Sequence, residues 1–499
     1  MTFAKPTVRR TITPDDLPAE AATVLAGEAR LAMVAAHDDR DGFRMVHTFL
    51  APGQPASELI THLPHSQPAL PSLAEISFPA GRFEREVRDL FGITPRDHPL
   101  PHRLVRHAHW PTGYHAMRHD AGAPTFEADT GSYPFMQVAG SGVYEIPVGP
   151  IHAGLIEPGH FRFSVVGETI LRLKARLWFV HRGVEKLFEG RSPDEGIELA
   201  ERISGDTAVG HTLAYCLAVE EALGLTCSEG DAAARALLLE LERLYNHVSD
   251  IGAIVNDVGY GIVHAHTQTL REHLLRHNKH VTGHRLLRGA INPGSTTLRN
   301  LPDLDLIATT AASLAELVDI ALNSHIVADR LGGTSILGKD DAAHVGVLGY
   351  VARASGLDLD ARRDQPFARH TANVEPVVES VGDVRARFVV RAREAAQSAQ
   401  LIAELTQVVA GGPASSTSRP SPGPADEAGR RAGFGVVEAW RGALCHRVEI
   451  TDGVLSRVKV VDPSFFNWPA LPIALKDTIV PDFPLTNKSF NQSYAGNDL

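Results

Sequence analysis

Cysteine is scarce in this chain, whose 499 residues include only Cys216, Cys227 and Cys445. No two of them form a C-x-x-C pair. A structural zinc site or an iron–sulfur cluster usually needs four ligands, most of them closely spaced thiolates. The sequence therefore predicts no metal and no cofactor bound by this chain through its own cysteines.

Other absences exclude whole classes of function. No run of 18 apolar residues is present, so no membrane-spanning helix is predicted. The formal net charge of −11 offers nucleic acid no electrostatic surface. No G-x-G-x-x-G follows a strand-like run, so no nicotinamide site is encoded. The first residues lack the apolar stretch of a signal peptide, which predicts a cytoplasmic location.

The length favours two or three domains. Residues 1–120 combine short strand-like and helix-like runs and predict a small α+β domain, followed by a linker at 121–142. Residues 143–499 form the main domain, in which HFRFSVVGE alternates as a half-buried strand and the pattern is helical from 170 to about 409. A Gly/Pro/Ser-rich mobile loop is predicted at 411–433.

The remaining segments complete the predicted architecture. After the loop, GVVEAWRG, CHRVEI and SRVKVVD have the composition of short strands. The final residues have few helix signals and are predicted to lie extended across the surface. The fold class is therefore α+β, a small N-terminal α/β-sheet domain followed by a mainly α-helical bundle with small peripheral strands.

Several motifs carry a family resemblance. FEREVRDLFGITPRDHPLPHRLV resembles the peripheral-arm subunit of complex I that flanks the quinone-pocket subunit. GPIHAGLIEPGHFRF, HRGVEKLFEGR, ERISGDTAVGH and DPSFFNWPAL are similar to the quinone-pocket subunit itself and to the large subunit of energy-converting NiFe-hydrogenases. The resemblance implies two such subunits fused in one chain, as in the formate-hydrogenlyase type, and the NiFe-hydrogenase large-subunit fold for the bundle.

The chain departs from hydrogenases at the metal ligands. The family holds nickel and iron with two C-x-x-C pairs, since soft thiolates suit these metals. In this chain Ser204 and Thr207 stand at the first pair, and Ser464 and Asn467 at the second. Hydroxyl and amide groups are poor ligands for soft metals, so the sequence predicts that hydrogen activation is lost.

The four substituted positions leave two interpretations open. Their side chains are either relics that fill a collapsed cavity and hydrogen-bond to each other, or the lining of a polar pocket for a small substrate or a quinone headgroup. The pocket is favoured because charged residues accompany the motif. By resemblance, Arg202 precedes the first pair and Asp206 lies inside it.

A loop around IEPGH corresponds to the segment that lines this cavity in both relatives. The resemblance assigns proton transfer to Glu157, and His152 and His160 join it as candidate catalytic residues with Arg202 and Asp206. The alternative is a loop of incidental surface histidines. The loop is two residues longer than in complex I, and no tyrosine corresponds to the one that faces the quinone there.

A third group is predicted to face the terminal iron–sulfur cluster of a neighbouring small subunit. It comprises Arg182 and Glu185 of HRGVEKL, together with His211, which lies on the helical face of Ser204. A fixed cation beside a cluster raises its reduction potential. The alternative is an ordinary solvated set of helical charges.

Histidines also recur along HAHTQTLREHLLRHNKHVTGH, at His266, His273, His277, His280 and His284. Four-residue steps occur in helical zinc pairs, but the H-E-x-x-H motif is absent. A solvated basic helix face is the favoured interpretation, because any amphipathic helix produces such spacings.

Taken with the resemblance, these features predict a subunit of a membrane-associated oxidoreductase. Its partners are expected to be a small iron–sulfur subunit of complex I type, a ferredoxin-like subunit and antiporter-like membrane subunits. Electrons would leave 4Fe-4S clusters in the partners and reduce a quinone or another acceptor, coupled to proton or ion translocation at the inner face of the cell membrane. The alternatives are a catalytically silent scaffold and a working hydrogenase.

Metal analysis distinguishes the last alternative. We expect no nickel above background in the purified complex, because no set of four thiolates is available to hold it. The measurement is inductively coupled plasma mass spectrometry, with a hydrogenase that carries both C-x-x-C pairs as the positive control. One nickel per chain would contradict the interpretation of the substituted positions.

Overall fold

The computed structural model describes residues 5–126, 133–154, 156–411, 425–426 and 429–499. Most of the predicted mobile loop at 411–433 lies outside these residues, and so does part of the predicted linker at 121–142. The domain boundary at residue 120 stays a prediction. The structure contains both helices and strands, with a sheet first and a helical region after it. The predicted α+β fold class is therefore confirmed.

The N-terminal part is a four-stranded sheet with helices against it. Its strand order is β1-β4-β3-β2, with β1 parallel to β4 and the other pairs antiparallel. Helix α2 begins after Ser77 and ends before its C-cap Gly92, whose φ of 75° suits glycine. The elements are β1 (Val8–Thr11), α1 (Leu17–Leu25), β2 (Arg30–Asp39), β3 (Gly42–Leu50), β4 (Ser57–Leu63), β5 (Ala69–Pro71), α2 (Phe78–Phe91) and β6 (Thr94–Arg96).

A second sheet opens the main domain and corrects one prediction. It contains β7 (Val143–Val148), β8 (His160–Val166) and β9 (Thr169–Arg176), all antiparallel. The half-buried strand in HFRFSVVGE is confirmed as β8, but the helix expected from residue 170 is wrong, because that segment is β9. The turn at Gly167, with a φ of 58°, folds β9 back on β8, and strand pairing then outweighs the apolar spacing.

The helical region follows, and its core is the packing of α6 against α13 and α7. Ser204 and Thr207, which stand at the first C-x-x-C pair of hydrogenases, lie in the break between α4 and α5. The elements are α3 (Val184–Phe188), α4 (Pro193–Ala200), α5 (Ala208–Leu223), α6 (Glu229–Asn256), α7 (Gly261–Thr282), β10 (Ile291–Asn292), β11 (Ser295–Thr296), α8 (Leu304–Leu322), α9 (His325–Leu331), α10 (Lys339–Val345), α11 (Gly349–Ala354), α12 (Ala361–Asp364) and α13 (Val384–Gly411).

The predicted strands after the loop form a third sheet of β12 (Arg431–Ala439), β13 (Gly442–Thr451) and β14 (Val454–Val461). Two short helices follow this sheet, α14 (Pro463–Asn467) and α15 (Ala470–Ala474). The prediction of an extended surface tail at 479–499 is wrong, since this segment forms α16 (Phe483–Phe490) and α17 (Tyr494–Asp498) and is largely buried. Short helices capped by Asp462 and Ser493 need only a few residues each, so they leave little periodic signal.

The N-terminal sheet and the third sheet are joined by buried ion pairs. Arg44 contacts Glu449 at 2.8 Å, and Arg447 contacts Glu58 at 2.8 Å. Phe83 of α2 stacks on Phe465 with ring centroids 4.5 Å apart. The two parts therefore share one core. No helix in the described ranges is both long and apolar enough to cross a membrane.

Candidate functional site

The candidate site is built around an ion pair at the break before α5. Arg441, which follows β12, donates two hydrogen bonds of 2.7 Å to the two carboxylate oxygens of Asp206. Strand β12 can reach this position because Gly433 and Gly435 lie directly on α5, where a Cβ atom would come within 2.0 Å of a backbone oxygen. The close approach of strand and helix thus fixes the pair.

Asp206 stays ionised in this environment. Burial alone would raise the pKa of its carboxyl group, but the charge of Arg441 and hydrogen bonds from three side chains outweigh burial. The hydroxyls of Ser204 and Thr207 both donate to Oδ1 at 3.0 Å. Together these contacts lower the pKa of Asp206 to about 2.

Three of the four substituted ligand positions meet through this network. The Oγ atoms of Ser204 and Ser493 lie 2.9 Å apart, and the backbone N–H of Ser493 donates to Ser464 Oγ at 2.9 Å. Thr207 joins them through Asp206. Two chain segments nearly 300 residues apart are thus held together by neutral oxygens, with Ser204 and Ser493 separated by 289 positions.

Asn467, the fourth position, is bonded to backbone. Its Oδ1 accepts the N–H of Leu348 at 2.8 Å, and its Nδ2 donates to the same residue's carbonyl at 3.2 Å. All four substituted side chains are at most 2% exposed. Their burial and their hydrogen bonds to Asp206, Ser493 and Leu348 correspond to the interpretation in which they fill a closed site.

The fit of these residues to a nickel–iron centre is poor. Each substituted group is an oxygen or an amide, and each already has hydrogen-bond partners within the chain. Cys216 and Cys445 are buried on α5 and β13, and burial raises the pKa of both thiols, which opposes the thiolate form. The described residues also contain no group of three or more His, Cys, Asp or Glu side chains placed to share a metal.

His211 lies deeper than predicted, in a buried chain of titratable groups. Its Nε2 is 3.2 Å from Asp462 Oδ2, and its Nδ1 is 3.1 Å from His446 Nε2. Burial would raise the pKa of Asp462, yet the contact with His211 lowers it, whereas burial and His211 keep the pKa of His446 well below its usual value. A fully buried His211 has no surface to offer a partner.

The loop predicted to line the cavity reaches the site through α17. Glu157 Oε2 accepts the N–H of Ala495 at 2.9 Å, and Gly159 packs on the ring of Tyr494. His152 contacts the carbonyl of Gly159 at 2.8 Å. Since α17 begins directly after Ser493, the loop borders the polar network.

His160 also lies at this border. Its Nδ1 is 3.1 Å from the carbonyl of Gly149, and its buried Nε2 has no hydrogen-bond partner within the described ranges. A buried ring nitrogen without a partner costs free energy. His160 is therefore a group whose hydrogen bonding is incomplete in the isolated chain.

The remaining predicted residues lie apart from the network. The guanidinium of Arg182 donates to the carbonyl of Ile203 at 2.6 Å, and the residue is exposed, while its cluster-facing role stays a prediction. Glu185 is buried and paired with Arg457 at 2.7 Å. Arg202 is exposed and paired with Glu198 at 3.0 Å, so it is not brought to Asp206. Helix α4 ends before it and turns its side chain outward.

The histidines of α7, together with His284 just after it, have separate environments. His266, His273, His280 and His284 are exposed, in line with a solvated face. His277 is buried, and its Nε2 accepts the N–H of Asp303 at 2.9 Å. This contact stabilises the start of α8.

Sequence reasoning missed Arg441, Asp462 and Ser493. Asp462 opens DPSFFNWPAL, a segment that carries the family resemblance, and Arg441 lies in the strand-like run GVVEAWRG, so position in these segments was the available signal. Ser493 carried no signal, because its importance comes from a tail that was expected to lie on the surface.

Comparisons with known proteins match the order of the two parts of this chain. The family model of the respiratory-chain NADH dehydrogenase 30 Kd subunit matches residues 10–127, and the model of the 49 Kd subunit matches residues 257–431. The chain is 32% identical to formate hydrogenlyase subunit 5 of Escherichia coli K12, over 83% of this chain and 74% of the relative. Hydrogenase-4 component G of the same organism is also 32% identical, over 83% and 73%.

The chain therefore belongs to the family of fused 30 Kd and 49 Kd complex I-type subunits that includes formate hydrogenlyase subunit 5. The fused C/D subunit of the NADH-quinone oxidoreductase of Phocaeicola vulgatus is 29% identical over 68% of this chain and 70% of the relative. A chain in the solved membrane-bound sulfane sulfur reductase, an archaeal respiratory membrane complex, aligns with a TM-score of 0.64 and 25% identity, over 72% of this chain and 98% of that one. The protein is a subunit of a membrane oxidoreductase complex related to complex I and to hydrogenases.

One further carboxyl group underlies the site. Glu242 of α6 is fully buried and accepts the N–H groups of Val209 and Gly210 at 2.7 and 3.0 Å, which caps the start of α5. Burial raises its pKa to about 8, with nearby Asp206 contributing in the same direction. Its ordinary pKa is 4.5, so folding takes up a proton between these values.

The Glu242→Gln variant should therefore change the pH dependence of stability. A raised folded-state pKa gives stability that is complete below pH 4.5 and is lost as the pH rises through about 8. In the Glu242→Gln variant we expect the loss of this pH-dependent part of the unfolding free energy. It amounts to up to about 1.4 kcal/mol per pH unit between pH 4.5 and about pH 8. The measurement is the urea unfolding free energy between pH 5 and pH 9, with the exposed Glu404→Gln as control. Parallel curves for Glu242→Gln and the wild type would contradict the assignment.

Proposed function

We propose that this chain forms an acceptor site beside the terminal iron–sulfur cluster of a small partner subunit, in a complex without a nickel–iron centre. The observation that carries the proposal is the Arg441–Asp206 ion pair with neutral oxygens at the former ligand positions. An ionised, hydrogen-bonded network takes up the space where thiolates would be needed. The chain then supplies protonatable side chains that line the acceptor site, and no redox centre.

The acceptor is proposed to bind beside this network, at the surface formed by residues 149–154 and 156–160 together with helix α17. Glu157, His152 and His160 lie there, each partly buried. Reduction of a quinone to a quinol takes two electrons and two protons. The electrons would come from the partner's cluster, and the three loop side chains would deliver the protons and recover them from solvent.

Asp206 and Arg441 have a different part in the proposal. The two charges compensate each other. The pair is therefore proposed to hold the start of α5, strand β12 and helix α17 in fixed positions behind the acceptor. Arg182 lies on the exposed side and supplies a positive charge towards the partner's cluster. Such a charge favours the reduced cluster electrostatically.

An apolar surface beside Arg182 supports a docked partner. Ile151 and Ile156 on the loop are 88% and 54% exposed, and Leu187 on α3 is 47% exposed. Both segments pack on α17, through Glu157 and through the N–H of Arg182, which donates to the carbonyl of Leu499 at 2.7 Å. Exposed apolar side chains around one segment are typical of a protein interface.

The proposal also includes the membrane partners that the sequence resemblance implies. Protonation at the acceptor would be coupled to antiporter-like membrane subunits, with a ferredoxin-like subunit delivering electrons at the cytoplasmic face. The solved relative is a sulfane sulfur reductase, which supports a sulfur compound as a second acceptor class to test. The competing proposal is a scaffold without turnover, supported by the closed packing of the four substituted side chains.

Reoxidation of the partner's clusters tests the acceptor proposal. In the intact complex, reduced anaerobically with dithionite that is then removed, decylubiquinone or polysulfide should restore the oxidised electron paramagnetic resonance spectrum. Glu157→Gln keeps the hydrogen bond to Ala495 but cannot exchange a proton, so we expect reoxidation slower by roughly tenfold or more. Glu198→Gln, which is 73% exposed, is the matched control. Absence of reoxidation by either acceptor in the wild type would favour the scaffold.

Docking of the small subunit is tested separately. Ile151→Asp combined with Ile156→Asp places two charges in the apolar surface, so the tagged chain should recover several-fold less small subunit on affinity purification. Ile262→Asp, at a residue that is 62% exposed on α7, is the matched control. Equal recovery by the double variant and the control would show that the partner docks elsewhere.

A further inference from the structure

A cavity of about 430 Å³ lies between helix α2, strand β9 and the residues that follow α14. It is distinct from the polar network, and none of the residues at the former ligand positions lines it. Its volume falls in the usual range for small-molecule sites. The described residues that line it include three arginines and no aspartate or glutamate.

The three arginines are Arg82, Arg85 and Arg176, and each is at most 9% exposed. Arg85 donates to the carbonyls of His102 and Arg103 at 2.7 and 3.0 Å, and Arg82 and Arg176 also bond to backbone carbonyls. In the described part of the chain none of the three forms an ion pair within 4.0 Å. Neutral carbonyls orient a guanidinium group, but they leave its charge uncompensated.

Three carboxylates act electrostatically on Arg82 or Arg176, and each has another partner. Glu86 pairs with Lys459 at 2.6 Å. Asp89 accepts the backbone N–H groups of residues 104–106, and Asp498 accepts a backbone N–H at 3.0 Å. Each is thus committed to holding the fold. The excess of buried positive charge at the cavity is therefore built into the packing.

The lowered pKa values of two of the arginines agree with the absence of a paired carboxylate. Burial lowers the pKa of Arg82 to about 9, with Arg85 contributing by repulsion. Burial likewise lowers the pKa of Arg176 to about 10. By contrast, Arg441, which has Asp206 as its partner, has a raised pKa despite complete burial. Buried charges are ordinarily paired, so the unpaired set is unusual.

The rest of the cavity is apolar and aromatic. Trp178, Trp468 and Tyr133 line it, with Leu177 and Pro472 beside them. The Arg176 guanidinium lies 4.7 Å from the ring centroid of Tyr133. Flat rings next to guanidinium groups favour a ligand with an anionic end and an apolar body.

We propose that this cavity binds a small organic anion, a carboxylate or a phosphate carried on an aromatic or aliphatic body. The anionic group bonds to Arg82, Arg85 and Arg176, and the body lies against Trp178 and Trp468. The site belongs to the junction of the 30 Kd-like and 49 Kd-like parts. It is independent of the acceptor site, so either can fail alone.

Binding is tested on the full-length chain with two probes of similar shape. The first is 8-anilino-1-naphthalenesulfonate, which is anionic, and the second is N-phenyl-1-naphthylamine, which lacks the charge. We expect the anion to bind at least about tenfold more tightly, because a charge-assisted hydrogen bond contributes about that much to affinity. The readout is probe fluorescence together with quenching of the cavity tryptophans. Equal affinity for both probes would overturn the proposal.

Two variants locate the binding. Arg85→Gln removes one charge and should weaken binding of the sulfonate about tenfold without weakening the neutral probe. Ala74→Trp fills the cavity, which Ala74 lines, without removing a charge and should abolish binding of both probes. Arg276→Gln, at a side chain 73% exposed on α7, is the matched control. Melting curves identify a variant that does not fold, and unchanged affinity in both folded cavity variants would overturn the proposal.

Competition identifies the source of the anion. Displacement of the sulfonate by 1-naphthyl phosphate supports a water-soluble ligand, and displacement by laurate below its micelle concentration supports a single-chain amphiphile. Displacement by neither overturns the proposal. So does tighter sulfonate binding in the double variant Glu127→Gln and Asp129→Asn, since it would mean that the chain's own carboxylates, which precede Tyr133 in the sequence, are the counter-charge.

Discussion

The ion pair between Arg441 and Asp206 is the contact on which the site depends. It joins the start of α5 to the end of β12, and the hydroxyls of Ser204 and Thr207 attach to the same carboxylate. The Arg441 side chain is buried and the Asp206 side chain is 37% exposed, so removing the carboxylate would leave a buried positive charge uncompensated. The network therefore gives this region a cross-link of the kind that metal–thiolate bonds would otherwise provide.

Helix α17 connects this network to residues at the surface. Ser493, its N-cap, bonds to both substituted motifs, and two residues later Ala495 bonds to Glu157. Leu499, which directly follows the helix, accepts the N–H of Arg182. The proposed acceptor site, the proposed cluster-facing charge and the polar network are thus ordered by one five-residue helix. A change in this helix would affect all three.

Buried charge is handled in two ways in this molecule. Arg44, Arg447 and Arg441 each have a carboxylate partner, whereas the buried Arg387 bonds to Ser489 and to two backbone carbonyls. At the cavity beside α2, the guanidinium groups bond to neutral oxygens, which are backbone carbonyls together with the side chains of Asn497 and Tyr133. Because an unpaired buried charge is costly, the second arrangement is the one for which an external counter-charge is expected. Identical residue types thus have different implications, according to their neighbours.

The sequence by itself determined the α+β class, the long helices α6 and α13, the strand β8 and the absence of thiolates at the ligand positions. Each of these follows from local periodicity or from residue identity, which need no tertiary contact. Tertiary structure decided that residues 169–176 pair as a strand, that Arg202 points outward and that Glu185 and His211 are buried. It also decided which distant groups meet, such as Asp206 and Arg441, 235 positions apart. Periodicity reports which face of an element is buried, whereas the partner of a charge is set by packing between elements remote in sequence.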